Sequence, residues 1–323
     1  MAYAIRIHAH GGPDVMVAED IDVGAPGPGE VRVRQTAIGL NYIDTYHRSG
    51  LYPLPLPSGI GQEAAGVVEE VGAGVDYLRV GERVAYTGLM GGYASERIVP
   101  ADRMVKIPDG IEDVTAATLM LKGLTVQYLF RQTFRLKGGE TILFHAAAGG
   151  VGLIACQWAR ALGVTMIGTV GSDAKAELAR ANGCAHTIVY TREDFVERTK
   201  AITGGKGVPV VYDSIGKDTF PNSLDCLAPL GMFVSFGAAS GPIAAFNIGL
   251  LAQKGSLFAT RPTLFTYAAS RASLMAMADE MFGLVLSGKI KSEARQTFAL
   301  KDAAQAHKAL ESRGTTGATV LLP

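Results

Sequence analysis

Between Glu140 and Phe236, short apolar runs alternate with stretches of helix length, and this rhythm constrains the architecture more than any other feature of the chain. Residues 141–145, 164–170, 187–190, 208–212 and 232–236 read as strands. Residues 151–162, 173–181, 193–202 and 219–227 read as the helices that join them. Strand, helix and strand in succession close as a right-handed crossover, so the segment predicts a parallel sheet covered by helices. Residues 256–260 add a sixth strand.

The flanking regions follow a different pattern. The first third holds short alternating runs at 3–8, 31–38, 66–71, 83–86 and 93–99, parted by glycine and proline clusters, with one helix predicted at 42–49. Three alternate prolines make 51–58 an extended loop. Residues 112–134 form helices, with a break expected at Gly123. After the α/β segment come a long helix (266–286), another (301–312) and a last strand (318–322), read as a return to the first domain. The boundaries are 1–124 and 263–323 for a β-rich domain and 125–262 for the α/β domain within it.

Lysine and arginine number 30 and so do aspartate and glutamate, so the chain lacks the positive excess of a nucleic-acid binder. A 48% hydrophobic composition supports real cores and excludes wholesale disorder. Three scattered cysteines fit neither a disulfide framework nor a zinc ribbon. The N-terminus carries no charged start before an apolar run, and no stretch is long enough to span a bilayer. These features predict a cytoplasmic protein that makes no membrane contact.

The sharpest local signal is LFHAAAGGVG at 143–152, where an apolar strand runs through small residues directly into a helix. On the G-x-G-x-x-G template Ala147 takes the first glycine position, Gly149 the second and Gly152 the third. Gly149 permits close approach of a pyrophosphate, and Gly152 permits tight packing of helix on strand. The amides of Gly150 and Val151, at the helix start, face the phosphates. A dinucleotide coenzyme follows.

An NAD site places a carboxylate at the tip of the second strand, about 20 residues after the loop. Here the chain reads Val170-Gly171-Ser172, with Lys175 just beyond. Ser172 and Lys175 suit a 2′-phosphate and predict NADPH, with Asp173 an awkward neighbour that has an ordinary place at a helix start.

These features are similar to those of the zinc-independent quinone oxidoreductases of the medium-chain dehydrogenase/reductase superfamily, the group that includes zeta-crystallin. The resemblance covers essentially the whole chain and rests on HAHGGPDV (8–15), GLNYIDTYHRSGLYP (39–53), GQEAAGVVEEVG (61–72), HAAAGGVG (145–152), VYDSIGKDTF (211–220), SFGAASG (235–241), KGSLFATRP (254–262) and ESRGTTGA (311–318). It implies a Rossmann doubly wound parallel sheet inserted in a GroES-like catalytic domain. Zinc alcohol dehydrogenases of the superfamily carry Cys in G-x-C-x-x-D and His in G-H-E; this chain has Asn41 and Gln62 there, which cannot replace a thiolate and an imidazole. No bound metal is expected, so an easily reduced quinone suits the site better than an alcohol.

The resemblance implies that NADPH passes hydride to a quinone in the interdomain cleft, with Asn41, Asp44, Tyr46, Tyr52 and Arg261 as catalytic candidates. Tyr46 or Tyr52 would hydrogen-bond the acceptor, and Arg261 would offset negative charge. Each also has a structural reading: Asn41 and Asp44 as a helix cap, Tyr46 as a helix-face aromatic, Arg261 as the partner of a carboxylate. Tyr190, Ser214, Phe236, Gly237, Ala238 and Arg313 are implied coenzyme contacts, Arg313 toward the 2′-phosphate. His8 and His10 have metal-ligand spacing but no third ligand in sequence. The free sheet edge at 254–260 predicts a homodimer. Two other readings compete: a reductase of α,β-unsaturated carbonyls, and a zeta-crystallin-like single-strand RNA binder, which the neutral charge disfavours.

Overall fold

A computed structural model describes residues Met1–Pro323. The chain forms two compact units: residues 1–124, 268–288 and 292–323 make the first, and residues 125–267 and 289–291 the second.

Six parallel strands build the second unit: Thr141–Phe144 (β1), Thr165–Val170 (β2), His186–Val189 (β3), Val208–Asp213 (β4), Leu227–Ser235 (β5) and Phe258–Thr260 (β6). Their order across the sheet is β3-β2-β1-β4-β5-β6. This is the doubly wound order of a Rossmann fold, whose ligand crevice opens where the winding reverses, between β1 and β4. The strands are apolar and continuous because both faces are covered; Leu143, Ile167, Ile188, Val211 and Phe233 share one core.

Local chemistry changes two expected elements here. The helix expected at 219–227 is only a short 3-10 helix, Asn222–Cys226. Pro221 lacks an N–H to continue a helix, and the hydroxyls of Thr219 and Ser223 are drawn to the buried Asp213 carboxylate at 2.7 and 2.9 Å. The unit also runs past Pro262 to Tyr267, whose ring stacks on Tyr128 with centroids 4.6 Å apart.

The first unit holds two antiparallel-rich sheets. Met16–Asp20, Tyr3–Ile7 and Ser58–Gly59 form the smaller. The larger is centred on Glu30–Leu40, which pairs with Glu63–Val71 and Glu96–Pro100. The terminal strand Ala318–Leu322 joins the same sheet, with Thr319 opposite Leu40. Alternate inward residues (Val31, Val33, Ile38, Ala64, Val68, Val84) meet in its core.

Two further helical expectations need correction. Gly123 does not break a helix; it lies inside Lys122–Tyr128, and the interruption comes before it, after Asp113–Ala117. A Cβ on Gly123 would stand 2.3 Å from Met281 Sδ, so close packing explains the glycine. The long C-terminal helix is two, Leu264–Tyr267 and Arg271–Leu286, because the Ser270 side chain caps the second by accepting from the Ser273 amide.

Candidate functional site

In the second unit the loop after β1 has the shape its sequence predicts. The amide of Ala147 donates to Thr169 O at 3.0 Å, pinning the loop to β2. Helix Gly150–Ala161 starts at once, with Gly149 as its N-cap. A Cβ on Gly152 would lie 2.3 Å from Ala146 O and 2.6 Å from the Ala147 carbonyl, so only glycine lets the helix sit this close. A Cβ on Gly149 would meet a single atom within 4 Å, Ala146 O at 3.3 Å, so its remaining surroundings are open. Gly150, Val151 and Gly152 occupy the first turn, whose amides have no intrahelical acceptor. An open glycine face before unpaired amides fits a dinucleotide pyrophosphate.

The loops after β4 and β5 meet at the same edge. Both oxygens of Asp213 are used: Oδ1 accepts the amides of Ile215 and Gly216 at 2.7 and 3.0 Å, and Oδ2 accepts the two hydroxyls already named. This shapes the backbone around Ser214. The amide of Phe236 donates to Asp213 O at 2.8 Å, and a Cβ on Gly237 would stand 2.5 Å from Ser214 O. Ser214, Phe236, Gly237 and Ala238 are thus brought together. Arg261 also belongs here, and its guanidinium donates to Ser235 O at 2.9 Å.

At the tip of β2, Ser172 caps helix Asp173–Ala181 by accepting from the Lys175 amide. Tyr190 follows β3, half-exposed, with its hydroxyl 3.0 Å from where a Cβ on Gly171 would stand. Gly171, Ser172, Lys175 and Tyr190 therefore share one corner of the sheet edge. Arg313 lies in the first unit, just after helix Ala303–Glu311, with φ 59°.

In the first unit, helix Tyr42–Ser49 carries Asp44 and Tyr46, between Asn41 at its N-cap and Tyr52 beyond its end. Asn41 is its N-cap, and the Asn41 amide donates to Asp44 Oδ2 at 2.9 Å, as the capping reading expects. The Asn41 side chain has a further role: Nδ2 donates to Glu63 Oε2 at 2.7 Å and to Gly39 O at 3.2 Å. Glu63 is fully buried and also takes the Leu121 amide at 2.6 Å and Lys122 Nζ at 3.1 Å. Gly39 is required, because a Cβ there would lie 2.2 Å from Glu63 Oε2. Gln62 Nε2 lies 2.7 Å from His47 Nε2.

Tyr46 and Tyr52 form an edge-to-face pair with centroids 5.2 Å apart, and the Tyr52 amide donates to Tyr46 O. Beneath them Asp44 is buried, which pushes its carboxyl up to about 7, against the lowering effect of the Asn41 amide and the Tyr93 hydroxyl. Tyr93 Oη lies 3.0 Å from His307 Nε2, and Arg48 Nη1 lies 2.9 Å from His307 Nδ1. Arg48 in turn makes a two-pronged bond to Glu311 at 2.8 and 2.9 Å. Burial first, and Arg48 second, hold His307 down at about 3, so it is neutral. His8, by contrast, pairs with Glu19 across the neighbouring strand.

Sequence reading missed Glu63, Lys122, Tyr93, His307 and Arg48. Only the Gln62-Glu63 dipeptide and the Arg48 that precedes the helix-ending glycine carry any local signal; the partnerships span up to 263 residues.

Two family models match the chain, "Alcohol dehydrogenase GroES-like domain" over residues 27–109 and "Zinc-binding dehydrogenase" over residues 150–277. A quinone oxidoreductase of Pseudomonas aeruginosa is 58% identical over 325 residues, with 100% of both chains covered. The chain belongs to the quinone oxidoreductases of the medium-chain dehydrogenase/reductase superfamily. Its fold superposes on the crystal structure of Escherichia coli quinone oxidoreductase complexed with NADPH with a TM-score of 0.98, at 51% identity and covering 99% of this chain and 100% of that one. A Burkholderia 2-haloacrylate reductase is also 51% identical, over 100% of this chain and 99% of its own. Asn41 and Gln62, neutral carboxamides at the positions where the motif comparison expects zinc ligands, offer neither a thiolate nor an imidazole, and Asn41 Nδ2 is committed to Glu63 at 2.7 Å. No helix is long and apolar enough to cross a membrane.

Proposed function

We propose that this chain is an NADPH-dependent quinone reductase of the cytoplasm, with residues 125–262 binding the coenzyme and residues 1–124 and 263–323 forming the catalytic domain. The observation that carries the reading is the bond from Asn41 to Glu63, which puts a neutral carboxamide where the zinc-dependent alcohol dehydrogenases of the superfamily place a metal ligand. Without a Lewis acid to stabilise an alkoxide, alcohol oxidation is disfavoured, and a quinone, whose reduction regains aromaticity, needs less electrophilic help.

NADPH, when bound, supplies a hydride to the acceptor. The chain's own residues bind, orient and protonate. The amides of Gly150, Val151 and Gly152 hold the pyrophosphate, with Ala147 and Gly149 clearing its approach. Ser172, Lys175 and Arg313 take the 2′-phosphate, Gly171 and Tyr190 the adenosine, and Ser214 with Phe236, Gly237 and Ala238 the nicotinamide. Asn41 and Asp44 fix the start of helix Tyr42–Ser49, which presents Tyr46, with Tyr52 packed against it from the segment beyond, to the reduced oxygen; a proton reaches that oxygen from one of these hydroxyls or from water. Arg261 offsets the negative charge that develops. The exposed outer edge of β6, where Phe258 is 56% exposed, is proposed to pair with a second copy in a homodimer.

The test is NADPH oxidation with a panel of quinones and α,β-unsaturated carbonyls, including a 2-haloacrylate, repeated with NADH. Faster turnover of quinones than of enones, and of NADPH than of NADH, is expected. Turnover confined to haloacrylates and other enones would sink the quinone assignment, and equal rates with NADH the coenzyme assignment.

A further inference from the structure

Between Thr165 and Lys175 the chain holds one carboxylate, Asp173. It begins the helix that follows β2, close to where a dinucleotide fold that uses NAD places the acid for its ribose hydroxyls. An acid so placed favours NADH and repels a 2′-phosphate. In this chain it does not stand alone. The segment after β3 runs alongside the segment after β2: the Tyr190 amide donates to Val170 O at 3.1 Å, Thr191 Oγ1 donates to Gly171 O at 3.4 Å, and Arg192 reaches Asp173. Arg192 Nη1 and Nη2 bind Asp173 Oδ2 and Oδ1 at 2.6 and 2.5 Å, so the fork takes both carboxylate oxygens.

We propose that Arg192 sets the coenzyme preference of this chain, by occupying and neutralising the one carboxylate that would otherwise select NADH. The inference rests on the reading of Ser172 and Lys175 as the 2′-phosphate site. Arg192 is a positioning residue that acts through Asp173. The hydrogen bonds from Arg192, with Arg180 contributing charge, hold the Asp173 carboxyl below its ordinary range, so it is ionised at working pH and needs a counter-ion. Glu193 is the other charged group facing Arg192. Both side chains of the pair are more than half exposed, so they contribute little to stability, and their substitution leaves the fold intact.

The experiment measures kcat and KM for NADPH and NADH, and by calorimetry the affinity for adenosine 2′,5′-bisphosphate, in wild type, Arg192→Ala, Asp173→Asn and Arg192→Ala/Asp173→Asn. Arg192→Ala should lower the NADPH-over-NADH ratio of kcat/KM by about five- to tenfold, the scale for one uncancelled carboxylate near a phosphate dianion, with kcat unchanged and the effect shrinking at high salt. The bisphosphate should bind correspondingly more weakly. The double variant should regain most of the preference, and Asp173→Asn alone should keep it. An unchanged ratio in Arg192→Ala overturns the proposal. A loss that the second substitution does not rescue also overturns it, since Arg192 would then act on the phosphate itself. A wild type with no preference for NADPH instead refutes the coenzyme reading beneath it.

Discussion

The Tyr93 hydroxyl donates to Asp44 Oδ2 over 3.0 Å, and both groups are buried. The bond closes a chain in which Arg48 donates to His307 Nδ1, leaving the proton on Nε2 to point at Tyr93, which points at Asp44. The polarity of the chain follows from the cation at its outer end, because Arg48 can only donate.

Asp44 and His307 give stability opposite dependences on pH. Asp44 rises from 3.8 to about 7 on folding, so its protonation favours the native state; that contribution is complete below 3.8 and is lost as pH rises through about 7. Asp44→Asn, which keeps an acceptor for both donors, should therefore lose less stability than wild type between about pH 5 and pH 8. Thermal melts across that range check it, and parallel curves would refute the buried acid.

His307 falls from 6.5 to about 3, so its neutral form is favoured; its contribution is complete above 6.5 and is lost as pH falls toward about 3. His307→Gln should flatten the acid limb of the stability profile while lowering stability at neutral pH by about 1–3 kcal/mol, through the bonds left unmade to Tyr93 and Arg48. Urea midpoints at several pH values measure both effects.

Lys122 is the buried counter-charge of Glu63. Lys122→Met strands the carboxylate and should cost about 3–5 kcal/mol. Adding Glu63→Gln should recover part of that loss, because no charge then remains buried. Equal urea midpoints for the single and double variants would show that the pair is not coupled.

Two glycines of the β1 loop should respond differently to a methyl group. Gly152→Ala forces helix and loop apart and should cost about 1–3 kcal/mol as well as coenzyme binding. Gly149→Ala meets only Ala146 O, at 3.3 Å, which a shift of a few tenths of an ångström in the loop relieves, so the fold should persist while NADPH affinity falls by about tenfold or more, because the methyl stands where the pyrophosphate approaches. Calorimetric titration with NADPH separates the two cases.

Chelation should leave quinone reduction unchanged, and dialysed protein should carry well under one equivalent of zinc. The reason is chemical: neutral carboxamides at Asn41 and Gln62 replace the thiolate and imidazole that hold zinc, and Asn41 is already committed to Glu63. A rate that falls with chelator and returns with zinc would contradict it.

Much of the molecule could be read without coordinates, for a physical reason. Strand and helix periodicity, the glycine spacing of 149–152 and the missing acid at 170–172 act over a few residues, and burial of both sheet faces enforces them locally. Elements governed by side chains from elsewhere were read less well, as when Asp213 took the hydroxyls of Thr219 and Ser223 and left a short 3-10 helix in place of the longer helix expected.

The sequence by itself determined the parallel α/β unit, the coenzyme loop and the loss of metal ligands at Asn41 and Gln62. Only the tertiary structure decided what the charged groups do. Asp44, Glu63 and Asp173 are all carboxylates near helix starts or strand ends, yet one is buried beside Tyr93, one is neutralised by Lys122 and one is clamped by Arg192. Their state depends on solvent exclusion and on partners 19 to 59 residues away, and no local pattern of residues encodes that.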